Sequence, residues 1–425
     1  MRVTVERLGH LGDGIAGGLF LPGLLPGEVA EVAGDAVRIL TPSPDRVRPP
    51  CPHARACGGC ALQHARDGFV AGWKAGVVRA ALAAQGIASP VAPAVTSPAR
   101  SRRRATLAAR RTKGGVTVGF HRRGSDQIVP VPGCILLAPD LMAALPAVEA
   151  IARAGASRSA GLDVTLTATR AGVDVAVTGG KPLDAPLTAA LAAVAEAHGL
   201  PRIAWGGVTA VQRTQPVVAF GRARVPLPPG AFLQATAEGE AALARLVRHA
   251  AQGARRVADL FAGCGTFALP LAESAEVHAA EADRAMTEAL LAGARSATGL
   301  RRVTAEARDL FRRPLADEEL KGFDAAVIDP PRAGAEAQTA ALAAARVPVI
   351  AAVSCNPATF ARDAKALIAG GYLLDWVAPV DQFRWSTHVE LAARFRLPHI
   401  APQHPPETRG DGPDHDDART TGRLA

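Results

Sequence analysis

Residues 255–266, RRVADLFAGCGT, run from an apolar strand pattern through a turn holding two glycines and on toward a helix. A strand–turn–helix unit of this kind uses glycine where the backbone must approach a ligand at the carboxyl edge of a sheet. The third glycine of a dinucleotide fingerprint would fall on Ala268, so the turn alone does not identify its ligand. The same alternation continues downstream, in AEVHAAEAD (275–283), RRVTAEARDLF (301–311), FDAAVIDPPRAG (323–334), VPVIAAVSCNP (347–357), DWVAPV (375–380) and VELAARFRL (389–397). Strands and helices alternating at this spacing predict a mostly parallel, doubly wound sheet over residues 232–398.

Acids recur where these strands end. Asp259, Glu281, Asp309 and Asp329 fall at four consecutive strand ends and are expected to line one crevice, with Glu281 suited to accept hydrogen bonds from ribose hydroxyls.

Upstream the pattern changes. Residues 1–47 alternate apolar and polar positions between glycine-rich turns and predict a small all-β barrel; residues 48–231 read as an α+β region; residues 399–425 are polar, rich in breakers, and predict a disordered tail. A chain of 425 residues has room for several such units. Hydrophobic residues make up 48%, yet no apolar run is long enough to span a bilayer, and MRVTVERLGHLGDG lacks the apolar core of a secretory signal. These features predict a cytoplasmic protein with no membrane partner, and a monomer is the default expectation.

The formal charge is +9, and Arg100, Arg102, Arg103, Arg104, Arg110, Arg111, Lys113, Arg122 and Arg123 fall in one stretch without an acid. Such a run suits a surface that follows phosphates, which points to RNA, although a solvated basic face gives the same pattern.

Six cysteines in a cytoplasmic chain argue for metal binding or catalysis before disulfides. Cys51, Cys57 and Cys60, with the distant Cys134, offer four thiolates that suit either a tetrahedral zinc or a four-iron cluster. Cys355 is different. It lies where the apolar strand VPVIAAV meets a helix that Asn356 can cap and Pro357 can begin, so the helix dipole is expected to lower its pKa. Cys264, inside the glycine turn, reads as packing.

A thiolate suggests a reaction. Carbon 5 of uracil is a poor nucleophile until a thiolate adds at carbon 6 and turns the ring into an enolate. After methyl transfer a base must remove the carbon 5 proton, and Glu390 in THVEL is a candidate, although a glutamate at a strand edge gives the same pattern and the chemistry alone does not choose between them.

The runs DLFAGCGTFALPLA, VIDPPRAG, AVSCNPATFARDAKAL and THVEL, in this order, resemble the bacterial RNA uracil-5-methyltransferases, especially the 23S ribosomal RNA enzymes. The resemblance implies a class I methyltransferase fold using S-adenosylmethionine, with Cys355 as nucleophile and Glu390 as base. It implies cofactor contacts from Gln234 (in AFLQAT), Phe261, Thr266, Glu281, Asp309 and Asp329. CPHARACGGCALQHA and the later PVPGC are similar to the family's iron–sulfur segment, which implies a [4Fe-4S] cluster on Cys51, Cys57, Cys60 and Cys134. LGDGIA and LFLPGLLPGE make residues 1–47 similar to the TRAM domain, an OB-like RNA-binding barrel. Thr266 and Asp309 stand where better-known members carry asparagine, and DQFRWSTH replaces a Phe-Pro-His type stretch. Trp385, in that stretch, is read either as a stacking partner for a flipped base or as an interior residue.

Transfer RNA is the alternative target, and a non-catalytic RNA-binding iron–sulfur protein is the alternative from another class. Amino-group methylation is disfavoured because Arg332 follows Asp329-Pro330-Pro331 where an aromatic residue would be needed. Cytosine-5 methylation would also use a thiolate, but the Cys-Asn-Pro context resembles the uracil group. A nicotinamide-dependent oxidoreductase has no use for the extra strand-end acids.

Overall fold

The computed structural model describes residues 1–34, 36–157 and 160–406. Its largest sheet has eight strands in the order Val303–Ala307, Glu276–Glu281, Arg256–Leu260, Ala325–Ile328, Val349–Ser354, Glu390–Arg396, Leu373–Asp381 and Val95–Thr96. The first five run parallel, and Glu390–Arg396 enters antiparallel between two of its neighbours. The order reverses beside Arg256–Leu260, so the carboxyl ends there open a crevice at a topological switch point. The doubly wound sheet expected from the sequence is therefore present. Its central strands are apolar throughout because helices cover both faces: Ala325–Ile328 and Val349–Ser354 are buried at every position.

A second sheet of seven strands spans Arg104–Thr112 to Val208–Gln212 and packs on the helices Leu145–Gly155 and Ala185–Ala197. All its pairings are antiparallel except that between Gly172–Gly179 and Arg202–Trp205. This is the α+β region the sequence predicted.

Three differences from the sequence reading matter. The six strands between Arg2 and Thr41 form two separate three-stranded antiparallel sheets about Val5, Ala16, Leu21, Leu24 and Ala30, not one continuous barrel ladder. Several strands there have only two or three residues, too few to carry a ladder from one sheet into the other.

The boundary expected at residue 231 does not follow the cores. The hairpin Val217–Phe220/Ala223–Pro226 packs into the core of the doubly wound sheet, and so do Val78 and Leu82 of the helix Asp67–Ala84. Apolar burial, not chain order, assigns these segments.

The tail begins later than residue 399. Ile400 packs against the core, the Gln403 amide donates to Asp375, and the His404 carbonyl pairs with the His249 ring, so this segment is tied down. Residues 407–425 lie outside the described residues.

Candidate active site

The glycine turn leaves Arg256–Leu260 through Phe261, whose φ of 63° is unusual for a residue with a side chain. The amides of Phe261 and Ala262 both donate to the Ala280 carbonyl, at 2.9 and 3.1 Å, which fixes that conformation. Gly265 is required on two counts: its φ is +99°, and a Cβ there would lie 2.8 Å from Leu269 Cδ1. Thr266 follows, half-buried on the same turn.

Glu281 answers from the next strand. One carboxylate oxygen accepts from the Gly263 amide and the other from the Asp283 amide, each at 2.9 Å, so its orientation is set from both sides of the crevice. The Phe261 ring packs 5.4 Å from that of Phe311, a half-exposed residue that sequence reasoning did not single out. Asp309 caps its own turn by accepting from the Phe311 amide at 3.0 Å. Asp329 lies in a recess at the end of its strand, where desolvation pushes its carboxyl up to about 7.

Asp259 departs from the expectation. It is fully buried one residue short of the strand end, neither oxygen has a side-chain partner among the described residues, and burial drives its pKa well above the ordinary range against the lowering effect of the Ala268 backbone. It is buried behind the crevice, so Glu281, Asp309 and Asp329 are the acids at its edge.

Cys355 follows Ser354, which is paired with Leu391 across the antiparallel ladder, so the register sets Cys355 beside Glu390. The neighbouring loops are stitched together. Asn356 Oδ1 accepts from the Ala358 amide at 3.1 Å as the helix cap, while its Nδ2 donates to the Arg332 carbonyl at 3.0 Å. Arg332 in turn contacts the His388 ring at 2.5 Å.

The electrostatics of Cys355 differ from the helix-dipole expectation. Burial raises its pKa first, the charges of Glu390 and Asp329 raise it further, and Arg332 lowers it only in part. The physical reason is position. Asn356 already caps the first helical amides, and the charges of Glu390 and Asp329 each act on the sulfur more strongly than that of Arg332.

Glu390 is buried, and desolvation, Asp329 and Asp381 raise its pKa well above the usual carboxylate range. Its Oε2 accepts from Gln382 Nε2, and the same amide group donates to Gln234 Oε1. Gln234 and Glu390, 156 positions apart in the chain, are therefore joined through one side chain.

The stretch 382–389 is held by remote residues. Lys74 Nζ reaches Asp381 Oδ1 at 2.5 Å and the Phe383 carbonyl at 3.1 Å. The Trp385 carbonyl accepts from the amides of Ala61 and Leu62, and its Nε1 donates to Asp67. Trp385 is 5% exposed, as the interior reading expects. Cys264 is buried and, as expected, packs in the core of the sheet.

Part of the basic run is committed within the protein. Arg103 pairs with Glu240 and donates to the Gln234 carbonyl, Arg104 lies over the Phe232 ring, and Arg123 pairs with Asp13. Arg100, Arg110, Arg111, Lys113 and Arg122 remain exposed.

Cys51, Cys57, Cys60 and Cys134 line one cavity together with His53, Gln63 and Phe120. Burial pushes the Cys60 thiol up to about 12, with Cys134, Cys57 and Cys51 adding to the rise. Gly58 lets this loop lie against the central sheet, since a Cβ there would fall 2.6 Å from the His121 carbonyl oxygen. Among the described residues no three ligating side chains are drawn together tightly enough to hold a single metal ion.

The family model described as tRNA (Uracil-5-)-methyltransferase matches residues 227–395. An uncharacterized RNA methyltransferase of Brucella suis biovar 1 is 44% identical, with 92% of this chain and 97% of that protein covered. The 23S rRNA (uracil(1939)-C(5))-methyltransferase RlmD of Shewanella piezotolerans is 32% identical over 93% of this chain and 96% of its own. Among solved structures, the Pyrococcus abyssi tRNA (uracil-54, C5)-methyltransferase in complex with S-adenosyl-L-homocysteine has the same fold, with a TM-score of 0.72, 23% identity, and 93% of this chain and 99% of that chain covered. The chain belongs to the RNA uracil-5-methyltransferase family.

Proposed function

We propose that the protein methylates carbon 5 of a specific uridine in 23S ribosomal RNA with S-adenosylmethionine as donor, Cys355 as nucleophile and Glu390 as closing base. The observation that carries this reading is the antiparallel register that brings Cys355 and Glu390 together at the open edge of the sheet, beside Asp329.

The donor supplies an electrophilic methyl group on a sulfonium. Gln234, Phe261, Thr266, Glu281, Asp309 and Asp329 would hold it. The fit rests on Gly263 and Gly265, which carry no side chain, the oriented Glu281 carboxylate and the Phe261–Phe311 wall. Cys355 Sγ, as thiolate, adds to carbon 6 of the uracil, and the electrons of the 5,6 double bond pass into an enolate that makes carbon 5 nucleophilic. Once carbon 5 carries the methyl group, Glu390 takes its proton, the double bond re-forms, and the carbon 6–sulfur bond breaks to release the thiolate. Only the ionised carboxylate can act as the base, and Lys74 opposes the burial and the neighbouring acids that favour its protonated form.

Burial, Glu390 and Asp329 raise the Cys355 pKa, so a neighbouring positive charge would favour its thiolate. A positive charge entering beside Asp329 would offset the carboxylates that hold the thiol protonated.

The four-cysteine cavity supports a [4Fe-4S] cluster in this reading. The four thiols line one cavity, and the cluster assignment follows the resemblance of their segments to the family's iron–sulfur region. Methyl transfer needs no redox step, so its role would be to shape the RNA-binding side. The ribosomal target rests on the 32% identical Shewanella relative together with this cysteine set. The exposed cations Arg110, Arg111, Lys113 and Arg122 support RNA binding.

Purified protein with labelled S-adenosylmethionine and RNA tests the reaction. Cys355→Ala should abolish transfer, a loss of at least about 10⁴-fold, and Glu390→Gln should leave a covalent protein–RNA adduct. Full turnover by Cys355→Ala would sink the mechanism. Mapping 5-methyluridine in a deletion strain tests the target: loss from 23S RNA is expected, and loss from transfer RNA alone would move the assignment there.

A further inference from the structure

Gln382 is 1% exposed and directly follows the equally buried Asp381. All three polar ends around it are engaged. Its Nε2 donates to Gln234 Oε1 at 2.5 Å and to Glu390 Oε2, and its Oε1 accepts from the Thr236 amide at 3.4 Å. The backbone amide of Thr236 can only donate, so the orientation of the Gln382 amide follows: oxygen toward Thr236, nitrogen toward the two side chains.

The backbone on either side is also fixed. Lys74 binds Asp381, immediately before Gln382, and the carbonyl of Phe383, immediately after it. Space is reserved as well. The helix Ala237–Ala250 carries Gly239 against this side chain, where a Cβ would sit 2.6 Å from Gln382 Cβ. A side chain merely filling a core would need none of these polar partners.

We propose that Gln382 is a positioning residue for the closing step, holding Oε2 of Glu390 so that Oε1 receives the carbon 5 proton, and tying that carboxylate to the Gln234 amide at the cofactor crevice. The inference rests on the assignment of Glu390 as the base. In the step concerned, Glu390 Oε1 gains the proton, the carbon 5–hydrogen electron pair becomes the 5,6 double bond, and the carbon 6–sulfur pair leaves with Cys355 as thiolate. Gln382 gains and loses nothing. It fixes one oxygen so that the other is presented in a single orientation.

The placement predicts which step suffers. Carbon–sulfur bond formation and methyl transfer do not use Glu390, whereas elimination does. Loss of Gln382 should therefore slow release after the methyl group has arrived.

The test uses the full-length protein with RNA substrate and labelled S-adenosylmethionine, quenched in denaturant over time. Gln382→Met keeps the length and removes every donor. It is expected to accumulate methyl-labelled protein–RNA adduct, with kcat down on the order of tenfold to a hundredfold and KM for RNA unchanged. Gln382→Glu keeps the shape but cannot donate to Gln234 and Glu390 together, so it too should accumulate adduct and covers the case in which Gln382→Met fails to fold. Adduct release at the wild-type rate in a folded variant would overturn the proposal while leaving Glu390 as base. A fall in adduct formation and turnover in equal proportion would also overturn it, since that marks a structural role. If Glu390→Gln itself turns over without adduct, the underlying assignment fails, and that result is distinct from either outcome at Gln382.

Discussion

Cys60 and Cys355 are both thiols whose pKa is raised, and different neighbours raise it. At Cys60, burial acts together with three other cysteines, so the added electrostatic cost comes from sulfur beside sulfur. At Cys355, burial acts together with Glu390 and Asp329, so it comes from carboxylates beside sulfur. In the first case a cationic centre shared by all four sulfurs relieves every member at once. In the second, a mobile cation in the crevice relieves one thiol for as long as it is bound. The first arrangement suits a resident group, the second a transient reaction partner. Arg102 touches both regions: its guanidinium feels Cys60 and Cys134 and lies 5.4 Å over the Phe383 ring, in the loop that ends at Glu390.

The largest expected effect separates the two sites outright. Cys60→Ser or Cys134→Ser should eliminate bound iron and sulfide from anaerobically purified protein while Cys355 still forms its adduct with RNA. Metal and sulfide analysis alongside a denaturing gel would measure both. A wild-type protein that is colourless and holds one zinc would remove the four-iron half of the comparison.

A smaller effect is expected at Lys74. It is fully buried and pairs with the equally buried Asp381, and burial pushes Lys74 down and Asp381 up, each toward its neutral form. Breaking one partner of such a pair costs about 3–5 kcal/mol because the other charge is stranded. Lys74→Met should therefore lower Tm by several degrees. It should also slow adduct release, because Lys74 is the cation that holds Glu390 down and pins both neighbours of Gln382. An unchanged Tm would show that Asp381 is neutral in the native protein.

Much of this was legible in the sequence where the signal is local. The glycine turn, the acids after successive strands, and Cys355 at a strand-to-helix junction are each set by residues within one supersecondary unit, and the doubly wound sheet follows from their alternation. What stayed hidden depends on pairings across the chain. Lys74 finds Asp381 307 positions away, and Ser97 bonds Thr236 across 139. Gln382 looks like any polar loop residue until Gln234 and Glu390 are folded onto it. The hairpin 217–226 reads as more of the central region because nothing local says which core its apolar face will meet. The raised pKa of Cys355 is hidden for a related reason: the helix end is local, whereas Glu390 and Asp329 arrive from other strands.

That sign gives the subtlest prediction, and it bears on the second half of the comparison. A thiol whose pKa lies above its ordinary value of 9.0 holds less thiolate at pH 7 than a free cysteine, and its thiolate fraction grows about tenfold per pH unit until the folded pKa is reached. Alkylation of Cys355 by iodoacetamide in the ligand-free protein should therefore be slower at pH 7 than that of a small thiol, and should still be rising at pH 9. Peptide mass spectrometry resolves Cys355 from the other five cysteines. With S-adenosylmethionine bound, the positive sulfonium beside Asp329 should pull the profile to lower pH, whereas the neutral thioether S-adenosylhomocysteine should not. Equal profiles with the two ligands would mean that the carboxylates around Cys355 are neutralised by something other than charge in the crevice. Arg332, the cation already lowering the Cys355 pKa, would then be the residue to substitute next.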